Sequence, residues 1–249
     1  MYQFFVEPQQ IHVADKSVTI TGNDVNHIKN VLRMKIGEEI AVSNGQDGKE
    51  YRCGIREYTE DAVLCELRFI KEDGVELPSK IYLFQGLPKA DKMELIIQKA
   101  VELGVYQVIP VAMKRCVVKL DNKKASSKLT RWQGIAEAAA KQSKRGIIPQ
   151  ITKVMTFAQA LEYSSTAQVR LVPYELAEGM DRTREIIEQI QPGQDIAVFI
   201  GPEGGFDEAE IGKVIEAGTQ PITLGKRILR TETAGMTVLS VSYTHLTLP

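Results

Sequence analysis

The sequence predicts an α/β protein, in which a parallel sheet with helices on both faces follows a small β-rich N-terminal domain. Residues 1–72 contain short β-branched and aromatic runs separated by turn signals such as NGQDG. From residue 81 onward, continuous apolar strands alternate with helical segments, which is typical of a sheet covered on both faces. The segment at 72–80 has the Gly, Pro and charge of a linker. We therefore expect one domain over 1–72 and a second over 75–249.

The N-terminal region is expected to form a small barrel. One helix interrupts its strands over NDVNHIKNVLRM, where Asn23 or Asp24 can serve as the N-cap. The predicted strands are YQFFV, SVTIT, EIAVS, EYRCGI and AVLCELRFI.

The second region follows a strand–helix rhythm with recognisable helix starts. Asp91 with Glu94, and Asp207 with Glu210, have the spacing of capping boxes, and Gly104 is a stop signal. Trp132 has apolar neighbours at helical spacing, which favours a core position over a base-stacking role. The predicted strands are IYLFQGL, VYQVIPVAM, VRLVPYE, DIAVFIG and PITLG.

Composition is that of a soluble globular protein, with 43% hydrophobic and 25% charged residues. The N-terminus has no signal-peptide pattern, and no apolar run approaches the roughly 18 residues of a membrane span. Three widely separated cysteines and no CxxC spacing indicate reduced thiols and no metal site. We expect a cytoplasmic protein that is not bound to a membrane.

Charge is unevenly distributed along the chain. Residues 113–145 contain ten Lys and Arg against Asp121 and Glu137, a net charge of +8 in a chain whose total is −1. A basic patch on an otherwise acidic protein is typical of a surface that binds a polyanion. A flexible basic loop without a partner is the open alternative.

Three segments at strand carboxyl ends, VPYE, FIGPEGG and LGKRILR, are expected to converge on one pocket. GPEGG is not GxGxxG, and nothing fits GxxxxGK[ST], which argues against NAD and ATP. Glycines also let the backbone approach a flat ligand, which suits a nucleoside-like cofactor without phosphates such as S-adenosylmethionine. The alternative that these glycines only make turns stays open.

The pair FIGPEGGF (199–206) and LGKRILRTETA (224–234) resembles the C-terminal motifs of the RsmE family, ribosomal RNA small-subunit methyltransferases of the SPOUT class. The segments 27–40, 85–105 and 136–151 also resemble family segments, so the likeness covers roughly residues 1–240. It implies a PUA-like N-terminal domain and a trefoil-knotted methyltransferase domain. It further implies a homodimer that methylates N3 of a uridine in 16S ribosomal RNA of the small ribosomal subunit.

In the family, the knot loops bind S-adenosylmethionine mainly through backbone groups. The resemblance implies cofactor contacts at Gly201, Glu203, Gly204, Leu224, Gly225, Ile228, Leu229, Thr233 and Ala234, with Pro173 and Glu175 completing the pocket.

The expected chemistry assigns roles to two further residues of the second motif. N3 of uracil is a poor nucleophile while protonated, and a cation beside a carbonyl oxygen would stabilise the anion. Arg230 is expected to supply that cation, and Glu232 to accept the proton or orient Arg230. An ion pair of only structural value between the two is the open alternative.

RNA contacts are expected from polar and basic residues of both regions, because phosphate contacts fix the register of a bound strand. The expected residues are Arg33 and Lys35 in the N-terminal domain, and Arg115, Arg131, Gln142, Ser143, Lys144 and Arg145 in the basic segment.

The end of the chain departs from the family pattern. From about residue 241 it reads VSYTHLTLP, and 243–249 is expected to be a short extended tail. Two rival functions stay open, a non-catalytic RNA-binding or ribosome-assembly protein and a Rossmann-type nucleotide enzyme.

Overall fold

A computed structural model describes residues 1–72, 74–177 and 179–247 and divides the chain into two compact units. Unit 1 combines residues 1–76 with 140–148, and unit 2 combines 77–139 with the chain from 149 onward. The predicted domains, 1–72 and 75–249, placed 140–148 in the second domain. In the structure this segment is part of the first unit.

Unit 1 is a curled mixed sheet interrupted by a short 3₁₀ helix at Pro8–Gln10 and by a second helical segment after β3. The strand order is β1-β4-β5-β6-β3-β2, with β1 and β4 parallel and every other pair antiparallel. A four-residue helix, α1, continues as a π-turn over His27–Val31, in place of the longer helix expected there. The elements are β1 (Gln3–Phe5), β2 (Ile11–His12), β3 (Ser17–Thr21), α1 (Asn23–Asn26), β4 (Glu39–Ser43), β5 (Glu50–Tyr58) and β6 (Ala62–Lys71).

The core of unit 1 lies on one face of this sheet. Alternate residues of β3 and β6 are buried, as the period of two in a half-covered strand requires. Burial of the Cys53 and Cys65 side chains raises the pKa of each thiol to about 12. Both cysteines therefore act as small apolar residues, in line with the expected reduced thiols.

A buried ion pair joins the two chain segments of unit 1. Arg145 Nη2 lies 2.5 Å from Glu76 Oε2, and the Arg145 side chain is only 5% exposed. Glu76 Oε1 also accepts hydrogen bonds from the backbone N–H groups of Gly146 and Ile147. On the sheet side, Gln3 Nε2 donates to the Arg145 carbonyl at 2.8 Å.

Unit 2 is a parallel sheet of seven strands, which confirms the predicted α/β class. The order is β10-β8-β7-β12-β11-β13, with the short β9 also paired to β8. Every strand pair is parallel. The strands are β7 (Ile81–Gly86), β8 (Gln107–Ala112), β9 (Gln150–Ile151), β10 (Met155–Thr156), β11 (Val169–Pro173), β12 (Ile196–Ile200) and β13 (Gln220–Ile222).

Within the described residues, six helices follow the start of this sheet, and the last turn of one of them, α3, belongs to unit 1. The last of them, α7, packs against α2 and against the central strands β7 and β12. Trp132 on α3 is buried, as predicted. The helices are α2 (Lys92–Glu102), α3 (Asn122–Gln142), α4 (Phe157–Ser164), α5 (Met180–Glu188), α6 (Glu208–Glu216) and α7 (Thr231–Thr247).

The two predicted capping boxes have different outcomes. At α6 the box forms, since Asp207 accepts from Ala209 N–H and the Glu210 side chain accepts from Asp207 N–H. At α2 the Asp91 side chain makes no capping bond. Glu94 instead pairs with Arg131 at 2.8 Å, so a tertiary contact replaces the local one.

The expected extended tail is wrong for the residues that the structure describes. Helix α7 continues through Thr247, and Ser242 and Leu246 are buried. His245 Nε2 lies 2.9 Å from the Ile190 carbonyl, which ties this last turn to unit 2. Burial of these side chains outweighs the weak helix preference of the Thr-rich sequence. Residues 248 and 249 lie outside the described residues.

Among the described helices, none combines the length and the apolar character needed to cross a membrane.

Candidate active site

A cavity of about 550 Å³ opens at the carboxyl ends of β11, β12 and β13 in unit 2. Each of these strands leads into one segment of the cavity wall: 173–175 after β11, 200–206 from β12 and 223–231 after β13. Because the strands are parallel and adjacent, their carboxyl ends meet at one edge of the sheet. The three segments singled out from the sequence therefore do share one cavity.

The loop after β12 needs its glycines for two different reasons. Gly205 adopts φ +67°, in the left-handed region that side chains rarely tolerate. A Cβ on Gly201 would come within 3.2 Å of the Phe206 ring, so this turn closes tightly on itself. Main-chain groups of the loop consequently line the cavity at close range.

A buried hydrogen-bond chain connects this loop to the start of α7. Thr231 Oγ1 donates to the Gly201 carbonyl at 2.6 Å. The same oxygen accepts from Gln85 Nε2 at 2.9 Å, and Gln85 Nε2 also donates to the Gly86 carbonyl. Gln85 and Thr231 are both buried, so these bonds are shielded from water. These hydrogen bonds fix the spacing between the two glycine-containing motifs.

The segment after β8 supports the loop from its other side. Lys114 N–H donates to Glu210 Oε1 at 2.8 Å, and Lys114 Nζ pairs with Asp207 at 2.9 Å. The hydrogen bond from Lys114 is the main reason that the pKa of Asp207 lies below its usual value. Arg115 Nη1 donates to the Gly204 carbonyl at 3.1 Å. Two basic residues of the +8 segment thus stabilise the glycine loop.

A lysine that the sequence analysis did not single out lies on the cavity wall. Lys92 Nζ is 3.2 Å from Glu203 Oε1 and 3.4 Å from Glu232 Oε2, and all three side chains are at most 30% exposed. Glu203 Oε1 also accepts from Lys89 N–H at 3.0 Å. Burial acts to raise the pKa of Glu203, but the hydrogen bonds and the Lys92 charge outweigh it and lower the pKa.

Most of the predicted cofactor residues lie together on the cavity wall. Thr233 is exposed and is not part of that wall. The predicted residues that line it are Pro173, Glu175, Gly201, Glu203, Gly204, Leu224, Gly225, Ile228, Leu229 and Ala234.

The two predicted catalytic residues are not paired with each other. Arg230 is exposed and lines the cavity, whereas Glu232 is partly buried and pairs with Lys92. Residues two apart at a helix start point in different directions, which explains the separation. The alternative of a structural Arg230–Glu232 ion pair is therefore wrong.

Other wall residues were missed by the sequence reasoning. Lys92 and Thr231 lie in segments that resemble the family, 85–105 and 224–234. Their partners are distant in the sequence, so no local pattern indicated that these two side chains line the cavity. The remaining missed residues are Tyr174, Ile200, Pro202, Gly205, Phe206 and Thr223, whereas Lys226 and Arg227 belong to the basic run of the LGKRILR segment, for which no separate role was predicted.

The predicted RNA-contact residues of unit 1 differ in exposure. Arg33 and Lys144 are exposed and have φ of +53° and +59°, a strained backbone that often marks functional positions. Lys35 and Gln142 are exposed, and Ser143 is half-buried. Arg145 is buried against Glu76, so the expectation that it contacts RNA is corrected: its guanidinium cannot reach a phosphate.

The predicted RNA-contact residues of unit 2 are exposed but already have partners. Arg131 Nη2 lies 2.8 Å from Glu94, and Arg115 donates to Gly204 as described. Across the described residues, no group of three or more His, Cys, Asp or Glu side chains is placed to hold a metal ion.

Comparison with known proteins gives concordant matches. Residues 75–242 match the RNA methyltransferase domain family, and residues 20–68 match the RNA methyltransferase PUA domain. The Ribosomal RNA small subunit methyltransferase E of Bacillus subtilis (strain 168) is 40% identical over 249 residues, covering 98% of this chain and 96% of that protein. The protein of the same name from Mesomycoplasma hyopneumoniae (strain 232) is 35% identical over 96% of this chain and 98% of its own.

Two solved structures extend the comparison. A Ribosomal RNA small subunit methyltransferase E from Neisseria gonorrhoeae, bound to S-adenosyl methionine, superimposes with a TM-score of 0.81 at 32% identity and covers 98% of this chain and 97% of its own. A methyltransferase from Legionella pneumophila in complex with the same cofactor has a TM-score of 0.76 at 31% identity, over 97% and 94% of the two chains.

Proposed function

This chain belongs to the ribosomal RNA small subunit methyltransferase E family, and from that premise we propose that it transfers a methyl group from S-adenosylmethionine to N3 of a uridine in 16S ribosomal RNA. The N-terminal unit, part of which matches a PUA domain, extends the contact with RNA. The small ribosomal subunit in the cytoplasm is the proposed setting.

The observation that carries this proposal is the cavity shared by the three segments. Its volume of about 550 Å³ lies within the range of small-molecule sites. Ile200, Leu224 and Leu229 give it apolar walls, and the loops at Gly201 and Gly225 provide main-chain donors and acceptors. An adenosyl group needs both, because its base is flat and apolar on its faces and polar at its edge.

The residues present fit S-adenosylmethionine, which would supply a methyl group on a positively charged sulfur. Gly225 adopts φ +108°, and no atom lies within 4 Å of the position a Cβ would take, so open space adjoins the backbone there. The backbone of the 201–205 segment and of Leu224, Gly225, Ile228 and Leu229 would hold the cofactor, with Pro173 and Glu175 at the remaining wall.

Arg230 is proposed as the cation that stabilises the uracil anion. Its side chain is exposed on the cavity wall, with no hydrogen bond or ion pair to any described residue, so it can turn toward a bound base. Glu232 has a different environment, since its Oε2 atom is buried and forms an ion pair with Lys92. We therefore assign Glu232, through Lys92, to positioning of the loops and leave the proton acceptor unassigned.

A homodimer is also part of the proposal. A second cavity of about 340 Å³, with largely apolar walls, lies between α5 and α7 and adjoins the first cavity through Thr223 and Leu224. Met180 and Val241 on its wall are 51% and 44% exposed. A second copy of the chain would cover these side chains beside the active site. Sedimentation tests the homodimer: M180E/V241E should sediment as a monomer, whereas the control I215E, on α6, should sediment as wild type does.

The trefoil knot expected from the family stays a proposal as well. Its support is the path of the chain, which leaves β13 at the far edge of the sheet and returns as α7 to pack on the central strands β7 and β12.

Incubation with unmodified small subunits or naked 16S ribosomal RNA, followed by mapping of the methylated base, tests the reaction. We expect one methyl group on one uridine, at N3, where it blocks base pairing and stops reverse transcription. Saturable cofactor binding without methyl transfer would favour a non-catalytic RNA-binding protein. Binding of NAD or ATP instead would favour a Rossmann-type enzyme.

A further inference from the structure

The segment after β13 carries three exposed cations within five residues. Lys226, Arg227 and Arg230 all line the active-site cavity. Within the described ranges, none of the three side chains has a hydrogen bond or an ion pair. Ile228, between them, is 84% exposed, so the tip of this segment projects into solvent.

The cavity wall carries more positive than negative charge, because of the cations of the 226–230 segment. Four cations and two carboxylates line the wall, which gives it a net charge of +2. Lys92 is shared by two carboxylates, Glu203 at 3.2 Å and Glu232 at 3.4 Å, so it contributes no unpaired positive charge. On the wall itself, the three cations of the 226–230 segment face one further carboxylate, that of Glu175.

The proposed cofactor does not account for this excess. S-adenosylmethionine has a sulfonium, an ammonium and one carboxylate, so it carries one net positive charge. Its single carboxylate can engage one cation, and its sulfonium is repelled by the others. The remaining exposed cations are therefore available to a second, anionic ligand.

The basic segment at 113–145 is less available to an anion than its charge of +8 indicates. Arg131 pairs with Glu94, Arg145 with Glu76, and Lys114 with Asp207. Arg115 donates to a backbone carbonyl of the glycine loop. Cations at the cavity mouth are therefore better placed to hold a polyanion beside the reacting base.

We propose that Lys226 and Arg227 bind phosphates of the RNA strand next to the nucleotide that enters the cavity. The inference rests on the proposed function and names the group that fixes the substrate at the site. Arg227 can bind a phosphate through two N–H groups, and Lys226 adds a point charge. The exposed Ile228 would contact the sugar or base between them. This binding site is separate from the basic segment.

The double variant K226A/R227A tests the assignment against K153A/K213A, which removes two exposed cations elsewhere in unit 2. Affinity for unmodified 16S ribosomal RNA is measured by filter binding across a salt series, and cofactor affinity by calorimetry. We expect K226A/R227A to weaken RNA binding on the order of tenfold or more, and to reduce the slope of log K against log salt by about 1.4, for two single-strand phosphates. Cofactor affinity should stay within about twofold of wild type.

The charge-conserving variant K226R/R227K should keep the salt slope near wild type, since both positive charges remain, and recover only part of the RNA affinity, since a lysine at 227 cannot bind a phosphate through two N–H groups. RNA affinity and salt slope equal to those of the control variant would overturn the inference. A loss of cofactor affinity with unchanged RNA binding would overturn it too, and would assign the cations to the cofactor carboxylate. A wild-type protein that bound neither ligand would overturn the proposed function, and this inference with it.

Discussion

Lys92 Nζ lies 3.2 Å from Glu203 Oε1, so the first residue of α2 is joined directly to the glycine loop after β12. The same nitrogen reaches Glu232 in the first turn of α7 at 3.4 Å. One ammonium group therefore holds together the two motifs that form the cavity, from a third element of the fold.

Replacement of Lys92 by Met should weaken cofactor binding by about 1–2 kcal/mol, because two partly buried carboxylates would lose their shared cation. Calorimetry measures this, with K99M on the same helix as the control, since Lys99 pairs only with Glu102 on the helix surface. K92R should bind nearly as well as wild type. Normal cofactor affinity in K92M would contradict the positioning role.

The same variant has a predicted pH dependence. Because the pKa of Glu203 is lowered in the fold, its carboxylate stabilises the protein above the ordinary value of 4.5. That contribution is lost as pH falls through the lowered pKa. The difference in unfolding free energy between wild type and K92M should therefore shrink as pH falls below 4.5 and through the lowered pKa of Glu203. A difference that stayed constant over this range would argue against the charge interaction.

Thr231→Val should cost about 1–3 kcal/mol of stability, because the Gly201 carbonyl loses its donor and the buried Gln85 amide keeps only its bond to the Gly86 carbonyl. Cofactor affinity should fall as well, since the loop loses its anchor to α7. Chemical denaturation gives the first quantity and calorimetry the second. T244V removes a similar hydroxyl from an exposed position on the same helix and should change stability by under about 0.5 kcal/mol.

Glu76→Gln should destabilise the protein by about 3 kcal/mol, because the buried Arg145 guanidinium would lose the Glu76 carboxylate that it pairs with. E72Q is the matched control, since Glu72 is exposed and pairs with Lys49 on the surface. Denaturation of the full chain distinguishes the two.

Variants of two neighbouring residues, Arg145 and Lys144, distinguish a structural role from an RNA contact. R145M should lower stability and leave the salt dependence of RNA binding unchanged, whereas K144A should leave stability unchanged and reduce the salt slope. An unstable K144A with a normal slope would reverse these assignments.

Arg230→Ala should reduce turnover more than tenfold, about 1.4 kcal/mol or more, with cofactor affinity unchanged. The reason is that its charge would be needed only when the uracil anion develops. R230K, which keeps a cation at a different geometry, should recover part of the rate. Turnover of R230A within tenfold of wild type would remove Arg230 from the mechanism.

The buried thiols of unit 1 should be unreactive in the native protein. Because burial raises the pKa of Cys53 and Cys65 to about 12, neither forms a thiolate at pH 8. A thiol reagent should modify all three cysteines in denaturant and leave these two unmodified in native protein. The sign of the shift also predicts a loss of stability as pH rises above 9, since only the unfolded chain ionises there.

Features set by local sequence were predictable. The Asp207–Glu210 capping box formed because both partners lie within one helical turn. The position of the cavity followed from strand direction alone, since parallel strands bring their carboxyl ends to one edge.

Features set by distant partners were not predictable. The Glu203–Lys92 contact spans 111 residues of sequence and Glu76–Arg145 spans 69, and no local pattern encodes either. Helix α7 continues past residue 242 because distant side chains bury Ser242 and Leu246, against a Thr-rich local preference. The Glu232 carboxylate is a further case, since its partner Lys92 lies on another helix and is distant in the sequence.

The two-part construction of unit 1 has a consequence for the order of events during translation. When residue 76 leaves the exit tunnel, residues 140–148 have not been synthesised, so the Glu76 carboxylate lacks its partner Arg145. The first domain to emerge must therefore wait for more than sixty further residues before it can finish folding. A fragment truncated after residue 76 should accordingly be less stable than the complete unit, although it contains all six strands of the sheet.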